Sequence, residues 1–552
     1  MANEPAPTGA RAPARLVAIA LSVIAGAGIA LAFPPFGLTP GLLGFALILH
    51  LCGGTAGPKP LRAAFGRGWL AGTAFFLIAT WWIYQAFQVD AADQGWMAPF
   101  AVALLASGLG LFWGAAGLVY RWIAPSGWPR VLVFAGVLTG FEWLRGHLLT
   151  GFPWDLAGES WRAGSAPSQG AALMGAYGLT WLTVAIAATP ALLLDAARRR
   201  QAIAACVGAA VALAGLYGYG SFRLGLTRAQ TGARPIVRIV QPDLPEVPSY
   251  SAASFADTVR AHLDLTARPA AQRPDIIIWP ERAIPGAFSD YLAPGTWTRD
   301  AITAALAPGQ ILLTGGYRTQ PAPPGAYAPD GLVYFNSLLA MRRDASGLTP
   351  LSVYDKYRLV PFGEYLPLAR WLAPLHVQEL VHVGDGFSPG PPPQPMALGA
   401  EPLVQPLICY EALYPGFTAK GAIRSGRRAA WIVNVSDDAW FGGTYGPVQH
   451  LNLASYRAIE EGLPIVRATP TGVSAVIDAL GRVRPGLSLG QGQAGVIDAP
   501  LPQALPPTLF DRLGETIFAL MLLLSAAAAG LAHIHRAMRG KRVTAARSYR
   551  KP

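Results

Sequence analysis

Three short stretches end an apolar run with a side chain able to take part in acyl chemistry. "DIIIWPERAIP" places Glu281 just past a β-like run, "SVYDKYRLVPFGEYLP" carries Lys356 and, eight residues on, Glu364, and "PLICYEALYP" carries Cys409 with Glu411 two residues later. A free thiol is mostly protonated at neutral pH, so a cysteine nucleophile needs a base for its proton and a cation beside its thiolate. A carboxylate and an ammonium supply both, and the same ammonium can stabilise the oxyanion formed when a carbonyl is attacked. Glu, Lys and Cys therefore suffice for acyl transfer through a thioester. Each residue alone also has a plainer reading: a solvated turn glutamate, a surface lysine, a small core cysteine.

Such groups have to be held where strands end, because the loop beyond a strand is open while the strand fixes its position. Residues 233–505 contain the required runs: "IVRIVQ" (236–241), "DIIIW" (275–279), "QILLTGG" (310–316), "VYFNSLLAM" (333–341), "LVQPLICY" (403–410), "AAWIVNV" (429–435) and "VSAVIDA" (473–479). Helical patterns lie between some of them, at 253–268 and 447–462. Apolar strands interleaved with helices predict an α/β domain whose sheets are covered on their faces. "QPAPPGAYAPDG" and "SPGPPPQP" are Pro/Gly loops between those elements.

The rest of the chain is of another kind. Of 552 residues, 52% are hydrophobic and 13% charged, against about 25% charged in an ordinary soluble domain. Apolar stretches long enough for membrane helices fall at 15–33, 37–54, 68–87, 97–122, 130–150, 171–195, 201–220 and 513–534. The net charge of +12 sits in short clusters between them, which fits control of topology and not a nucleic-acid partner. The basic loops "GPKPLRAAFGRG", "YRWIAPSGWPR" and "DAARRRQ" alternate with acidic or mixed ones, and the tail "HRAMRGKRVTAARSYRKP" is strongly basic. The positive-inside rule then predicts eight spans, both termini in the cytoplasm and the α/β domain outside it. The domain boundaries expected are 1–232 with seven spans, 233–505, and 506–552 with the eighth span and tail. The first apolar stretch lacks a small-residue cleavage site, so no cleavable signal peptide is expected.

Taken together, "WPE", "YDKYRLVPFGEYLP" and "ICYE" resemble the three catalytic segments of the nitrilase (carbon-nitrogen hydrolase) superfamily, in that order. "LVPFGEYLP", "NVSDDAWFGG", "LAFPPFG" and "FEWLRGHLLTGFPW", with the membrane spans, resemble the apolipoprotein N-acyltransferase family over nearly the whole chain. The resemblance implies a nitrilase-like αββα sandwich on a polytopic, eight-helix membrane domain in a bacterial inner membrane. It implies Glu281 as general base, Lys356 as oxyanion stabiliser and Cys409 as nucleophile, with Asn336 of "YFNS" nearby. Glu364 matches a further carboxylate supporting Lys356 or the base, and Tyr410 and Glu411 match the two positions after the nucleophile. Tyr250 stands where the resemblance leads one to expect tryptophan. The implied reaction moves an acyl chain from a membrane phospholipid, phosphatidylethanolamine foremost, to Cys409 and then to the α-amino group of the S-diacylglyceryl-cysteine of an apolipoprotein. No dissociable cofactor is implied.

Several residues outside these segments carry weaker signals. Trp154, Phe362, Trp440 and Phe441 lie in aromatic, glycine-containing loops and are suited either to the lipid interface or to packing the domain on the helices. Glu142 and Arg145 are three apart on one helical face and can pair. His450 opens a helix and is read as a packing or capping residue, and Arg457, Glu460 and Arg467 as an ion-pair network. Cys52 and Cys206 are read as small buried hydrophobes. No cluster has metal-ligand spacing and no phosphate loop is present. Two rivals are a membrane-tethered amidase using the same three residues and a non-enzymatic lipid-binding or transport protein; the second calls for a broken triad.

Overall fold

Residues 11–55, 58–225, 234–323, 331–367 and 386–531 are described by the computed structural model. The Val- and Ile-rich runs form strands as their composition favours: β1 Ile236–Gln241, β2 Ile276–Ile278, β3 Ile311–Pro321, β4 Leu332–Asp344, β5 Gly347–Asp355, β6 Met396–Leu398, β7 Glu401–Ile408, β8 Trp431–Val435, β9 Ile465–Ala468, β10 Ser474–Ile477, β11 Val483–Leu489 and β12 Gly495–Pro500. They make two six-stranded sheets, ordered β12-β1-β2-β3-β4-β5 and β11-β10-β9-β8-β7-β6. In each sheet three consecutive strands run parallel, β1-β2-β3 and β7-β8-β9, and the remaining pairings are antiparallel.

The sheets face each other across one apolar layer, in which Val237, Ile278 and Leu313 meet Val404, Val433 and Val466. Each such side chain fully removed from water contributes roughly 1.5–3 kcal/mol. The outer faces are also buried. Ile277 and Leu312 pack with Phe255, Val259 and Ile302, and Ile432 and Ile465 pack with Phe417, Leu453 and Ala458. Burial on both faces explains why these strands read as continuous apolar runs.

Helices lie at every position where a span is expected. They are α1 Arg11–Ala30, α2 Gly44–Gly53, α3 Pro60–Ala79, α4 Ala98–Ile123, α5 Pro129–Arg145, α6 Ala171–Ala188 and α7 Arg199–Gly225. The sandwich then contributes α8 Ala252–Thr266, α9 Trp297–Ala305, α10 Phe417–Ser425 and α11 Gly446–Glu461, and α12 Thr516–Leu531 follows it. Among the described residues, Ala91–Ile123, Pro167–Leu194 and Ala196–Gly225 are long and apolar enough to cross a membrane; Ala14–Ala30, Thr39–Gly53 and Thr516–Leu531 are apolar but shorter. Two expected spans are less apolar: α3 carries Arg62 and Arg67, and α5 carries Arg130, Glu142 and Arg145. The third expected span is also displaced, since α3 opens on Pro60 and closes at Ala79, where the Thr80 hydroxyl donates to Phe76 O at 2.7 Å. The helices α3 and α4 approach closely because Gly68 and Gly110 lack side chains; a Cβ on Gly68 would sit 2.3 Å from Trp113 O. The basic tail, the end of the eighth expected span and part of the first Pro/Gly loop lie outside the described residues.

Cys206 departs from expectation. It sits half-buried on α7, a helix that turns most of its surface outward, whereas Cys52 is fully buried.

Candidate active site

Glu281 follows β2, Asn336 lies within β4 and Lys356 follows β5, all on one sheet, while Cys409 follows β7 on the other. The facing sheets bring them together, with Glu281, Asn336 and Lys356 buried and Cys409 half-buried. Lys356 Nζ lies 3.3 Å from Glu281 Oε1 and 2.9 Å from Glu364 Oε1. Asn336 Nδ2 donates to the same two oxygens, at 2.7 Å each. The other carboxylate oxygens are held by main chain: Asp437 N donates to Glu281 Oε2 at 2.7 Å, and Val360 N to Glu364 Oε2 at 2.8 Å. Burial alone would lower the Lys356 pKa, but Glu281 and Glu364 outweigh it and hold the ammonium charged. Asn336 is buried, and its Oδ1 has no hydrogen-bond partner among the described residues.

Cys409 begins a tight helical turn, Cys409–Leu413, with φ +49°. A non-glycine residue in this left-handed region carries a cost of order 1 kcal/mol, and the turn swings the side chain off the strand toward the facing sheet. Burial and then Glu281 push the thiol well above its ordinary pKa, while Lys356 pulls the other way. The resting group is a thiol that feels the Glu281 carboxylate.

Glu411 has a distinct place two residues on. Its Oε1 accepts from Tyr354 Oη at 2.7 Å, Tyr357 N at 2.8 Å and Arg358 N at 3.1 Å, and its Oε2 from Ile408 N at 2.8 Å. One buried carboxylate thus clasps the segment bearing Lys356 to the strand end bearing Cys409. Burial pushes Glu411 up to about 7 against the pull of these donors. Tyr410 points the opposite way, donating to Gly151 O, and Tyr414 Oη joins it at 2.9 Å. Gly151 belongs to the turn after α5, which the sandwich also holds through Arg358 Nη1 to Thr150 O at 3.0 Å.

The expected lipid-contact aromatics divide. Phe362 and Trp440 are exposed, at 53% and 38%. Trp154 and Phe441 are interior, which corrects the interfacial reading for these two. Trp154 packs on Trp82, donates its indole N–H to Gln449 at 3.2 Å and, with Phe441, joins the helical region to the sandwich. Tyr250 and Trp440 flank the Arg282 guanidinium at 5.9 and 6.0 Å, and Arg282 pairs with Glu246 at 2.8 Å. Burial raises the Tyr250 pKa to about 12.

Two buried clusters differ from expectation. Arg457 pairs with Glu460 at 2.8 Å and with Glu159 at 3.3 Å, the latter contributed by the loop between α5 and α6. Arg467 belongs elsewhere, with Asp438 at 2.7 Å, His450 and Asn434. His450 is no helix cap: its Nε2 faces Cys409 O at 3.3 Å. Only a buried, strand-embedded arginine in "PIVRAT" hinted at that second cluster in the sequence. Glu142 and Arg145 do pair, with Trp113 Nε1 donating to Glu142 at 2.7 Å and Arg145 reaching Trp154 O at 3.0 Å. Among the described residues no group of three or more His, Cys, Asp or Glu is arranged to hold a metal ion.

Comparison with known proteins follows the same division of the chain. Residues 25–189 match the family described as apolipoprotein N-acyltransferase N-terminal domain, and residues 236–505 match carbon-nitrogen hydrolase. The chain is 53% identical over 508 residues to the apolipoprotein N-acyltransferase of Caulobacter vibrioides, covering 92% of this chain and 93% of that protein. Proteins of the same name from Rhodopseudomonas palustris and Bradyrhizobium diazoefficiens are 38% and 37% identical, over 91% and 92% of this chain and 93% of each relative. With two mixed sheets built as a carbon-nitrogen hydrolase domain and a helical part matched by its own family, the chain belongs to the apolipoprotein N-acyltransferase family.

Proposed function

We propose that the protein transfers an acyl chain from a membrane phospholipid, through a thioester on Cys409, to the α-amino group of a diacylglyceryl-cysteine at the start of an apolipoprotein. The observation that carries this reading is the convergence of thiol, carboxylate and ammonium from two sheets into one cluster. In the first half-reaction Glu281 takes the thiol proton as Sγ attacks the ester carbonyl, and Lys356 stabilises the oxyanion. The C–O bond then breaks, Glu281 returns the proton to the leaving oxygen, and a lysophospholipid departs. In the second, the acceptor amine attacks the thioester carbonyl, Glu281 takes its proton, the C–S bond breaks and the thiolate is reprotonated. Both substrates visit the same thiol in turn, and water has to be kept from the thioester between visits. Glu364 and Asn336 position Lys356 and Glu281, and Glu411 holds the turn. The exposed Phe362 and Trp440 are the side chains offered to the acyl chains, with Tyr250 beside Trp440 across Arg282.

The same reading has eight spans, an extracytoplasmic sandwich and both termini in the cytoplasm, on the strength of the alternating basic loops. Phosphatidylethanolamine is the donor expected first. The test uses purified protein in nanodiscs with acyl-labelled phosphatidylethanolamine, with and without a diacylated lipopeptide. Label should accumulate on Cys409 and move to the lipopeptide amine when the acceptor is added. No label on the wild-type thiol, or transfer by a Cys409→Ala variant, would refute the mechanism.

A further inference from the structure

Directly beneath the turn that carries Cys409 lies a buried polar cluster for which acyl transfer has no proton-transfer task. It consists of Asp438, His450 and Arg467, each with a side chain no more than 2% exposed. Arg467 Nη2 donates to Asp438 Oδ2 at 2.7 Å and contacts His450 Nδ1 at 3.1 Å; Asp438 Oδ1 also lies 3.1 Å from Nδ1. Ser436 Oγ donates to Asp438 Oδ1 at 2.8 Å. Arg467 Nη1 meets Asn434 Oδ1, and Asn434 Nδ2 donates to Leu407 O at 3.2 Å, two residues before Cys409. The cluster thus spans the ends of β7, β8 and β9 and the first turn of α11. Trp154 and Phe441 close it on the remaining side, each ring 5.8 Å from the imidazole.

Its hydrogen bond to the nucleophile's main chain is informative. A carbonyl oxygen only accepts, so the nitrogen facing Cys409 O at 3.3 Å is protonated Nε2. Burial and Arg467 both lower the His450 pKa, which makes the neutral Nε2–H tautomer the resident one, with Nδ1 accepting from Arg467. The strand fixes the Cys409 backbone on its amino side through the β7–β8 pairing that ends at Ile408 and Val435. On the carboxyl side, the direction of the Cys409 carbonyl sets ψ. A residue held at φ +49° has a relaxed alternative in the ordinary β or α regions. A donor locked in place on the carbonyl opposes that relaxation and fixes where Cβ and Sγ point.

We propose that His450, braced by Asp438 and Arg467, is a positioning residue that holds the left-handed turn of Cys409 and thereby aims its thiol at the Glu281–Lys356 pair. This rests on the assignment of Cys409 as nucleophile. The glycine at position 472 fits the same role, because a Cβ there would lie 2.7 Å from Asp438 Cβ and displace the brace.

The test compares His450→Gln, whose amide can place an N–H where Nε2–H stands, with His450→Leu, which has no donor. Single-turnover thioester formation from acyl-labelled phosphatidylethanolamine is measured in nanodiscs and divided by the number of thiols titratable at position 409, alongside the melting temperature. A purely structural role lowers the number of competent molecules, whereas positioning lowers the rate of each one. We expect His450→Leu to be roughly 10- to 100-fold slower per thiol, in line with an ångström-scale misplacement of a reacting atom, and His450→Gln to recover most of that loss. A His450→Leu rate within two-fold of wild type, or a His450→Gln variant as slow as His450→Leu, overturns the proposal. Should His450→Leu not fold, Asp438→Asn is read in its place: about ten-fold slower transfer per thiol supports the brace, and an unchanged rate refutes it. A wild-type protein that forms no thioester at Cys409 refutes the proposed function itself, whereas a labelled wild type with an unaffected His450→Leu variant refutes only this inference.

Discussion

The resting Cys409 keeps its proton, because burial and the neighbouring Glu281 carboxylate both disfavour a thiolate. On the proposed mechanism, nucleophilicity is generated at the moment of attack, by transfer to Glu281 while Lys356 compensates the new charge. Glu281→Gln retains the shape and the contact with Asp437 N but cannot accept a proton. It should slow thioester formation by about 10²–10⁴-fold, the range of general acid–base contributions; single-turnover labelling of Cys409, counted per folded molecule because Lys356 and Asn336 also lose an acceptor, is the measurement. These three residues were legible in the sequence because each follows an apolar run within a wordlike motif. His450 and Asp438 were not, since their relation to Cys409 passes through a backbone carbonyl and leaves no spacing pattern along the chain.

At the scale of elements, the site depends on how closely β3 passes the turn after β2. A Cβ on Gly315 would lie 2.6 Å from Glu281 Cα and 2.6 Å from Pro280 O. Gly315→Ala should therefore displace the carboxylate and reduce acyl transfer at least ten-fold, as expected for a misplaced reacting group. Gly443→Ala, which meets nothing within 4 Å, should leave it unchanged. The two tyrosines after Cys409 make a second junction. Tyr410→Phe and Tyr414→Phe should each cost about 1 kcal/mol in denaturant unfolding, and together more than the sum, because only the double variant strips Gly151 O of both donors. The long apolar strands were legible from composition. The strands β5, β6, β9, β11 and β12 were not, for local reasons: β5 contains Pro350, β6 has three residues, β9 carries Arg467, β11 contains Pro485 and Gly486, and β12 contains Asp498. Their pairing with neighbours overrides those unfavourable residues.

Across the whole molecule, the helical region and the sandwich share buried charge. Glu159 comes from the helical region and Arg457 and Glu460 from the sandwich, and burial pushes Glu159 up to about 8 despite the neighbouring Arg457. The ordinary value of 4.5 applies once the chain unfolds. Between those two values the folded state binds the extra proton, so its stability falls as pH rises through the window. Glu411, raised to about 7, acts in the same direction. Thermal unfolding in nanodiscs should therefore show a falling melting temperature from about pH 6.5 to pH 8, above the range in which the buried His262 and His450 act the other way, and Glu159→Gln should flatten the slope.

The helix α11 carries a consequence for inheritance. Near its start His450 faces the Cys409 carbonyl, and along its length Asn452 donates to Glu159 O at 2.9 Å, Tyr456 to Gly158 O at 2.8 Å, and Glu460 accepts from Ala176 N at 2.8 Å. That last N–H is freed by the break in α6 at Gly175, φ +68°. A single element thus belongs to both halves at once. Exchanging the sandwich for that of a free-standing relative, or expressing it without its helices, would strip α11 of these partners. Recombination between such genes would meet a barrier inside a helix, not at the boundary between domains.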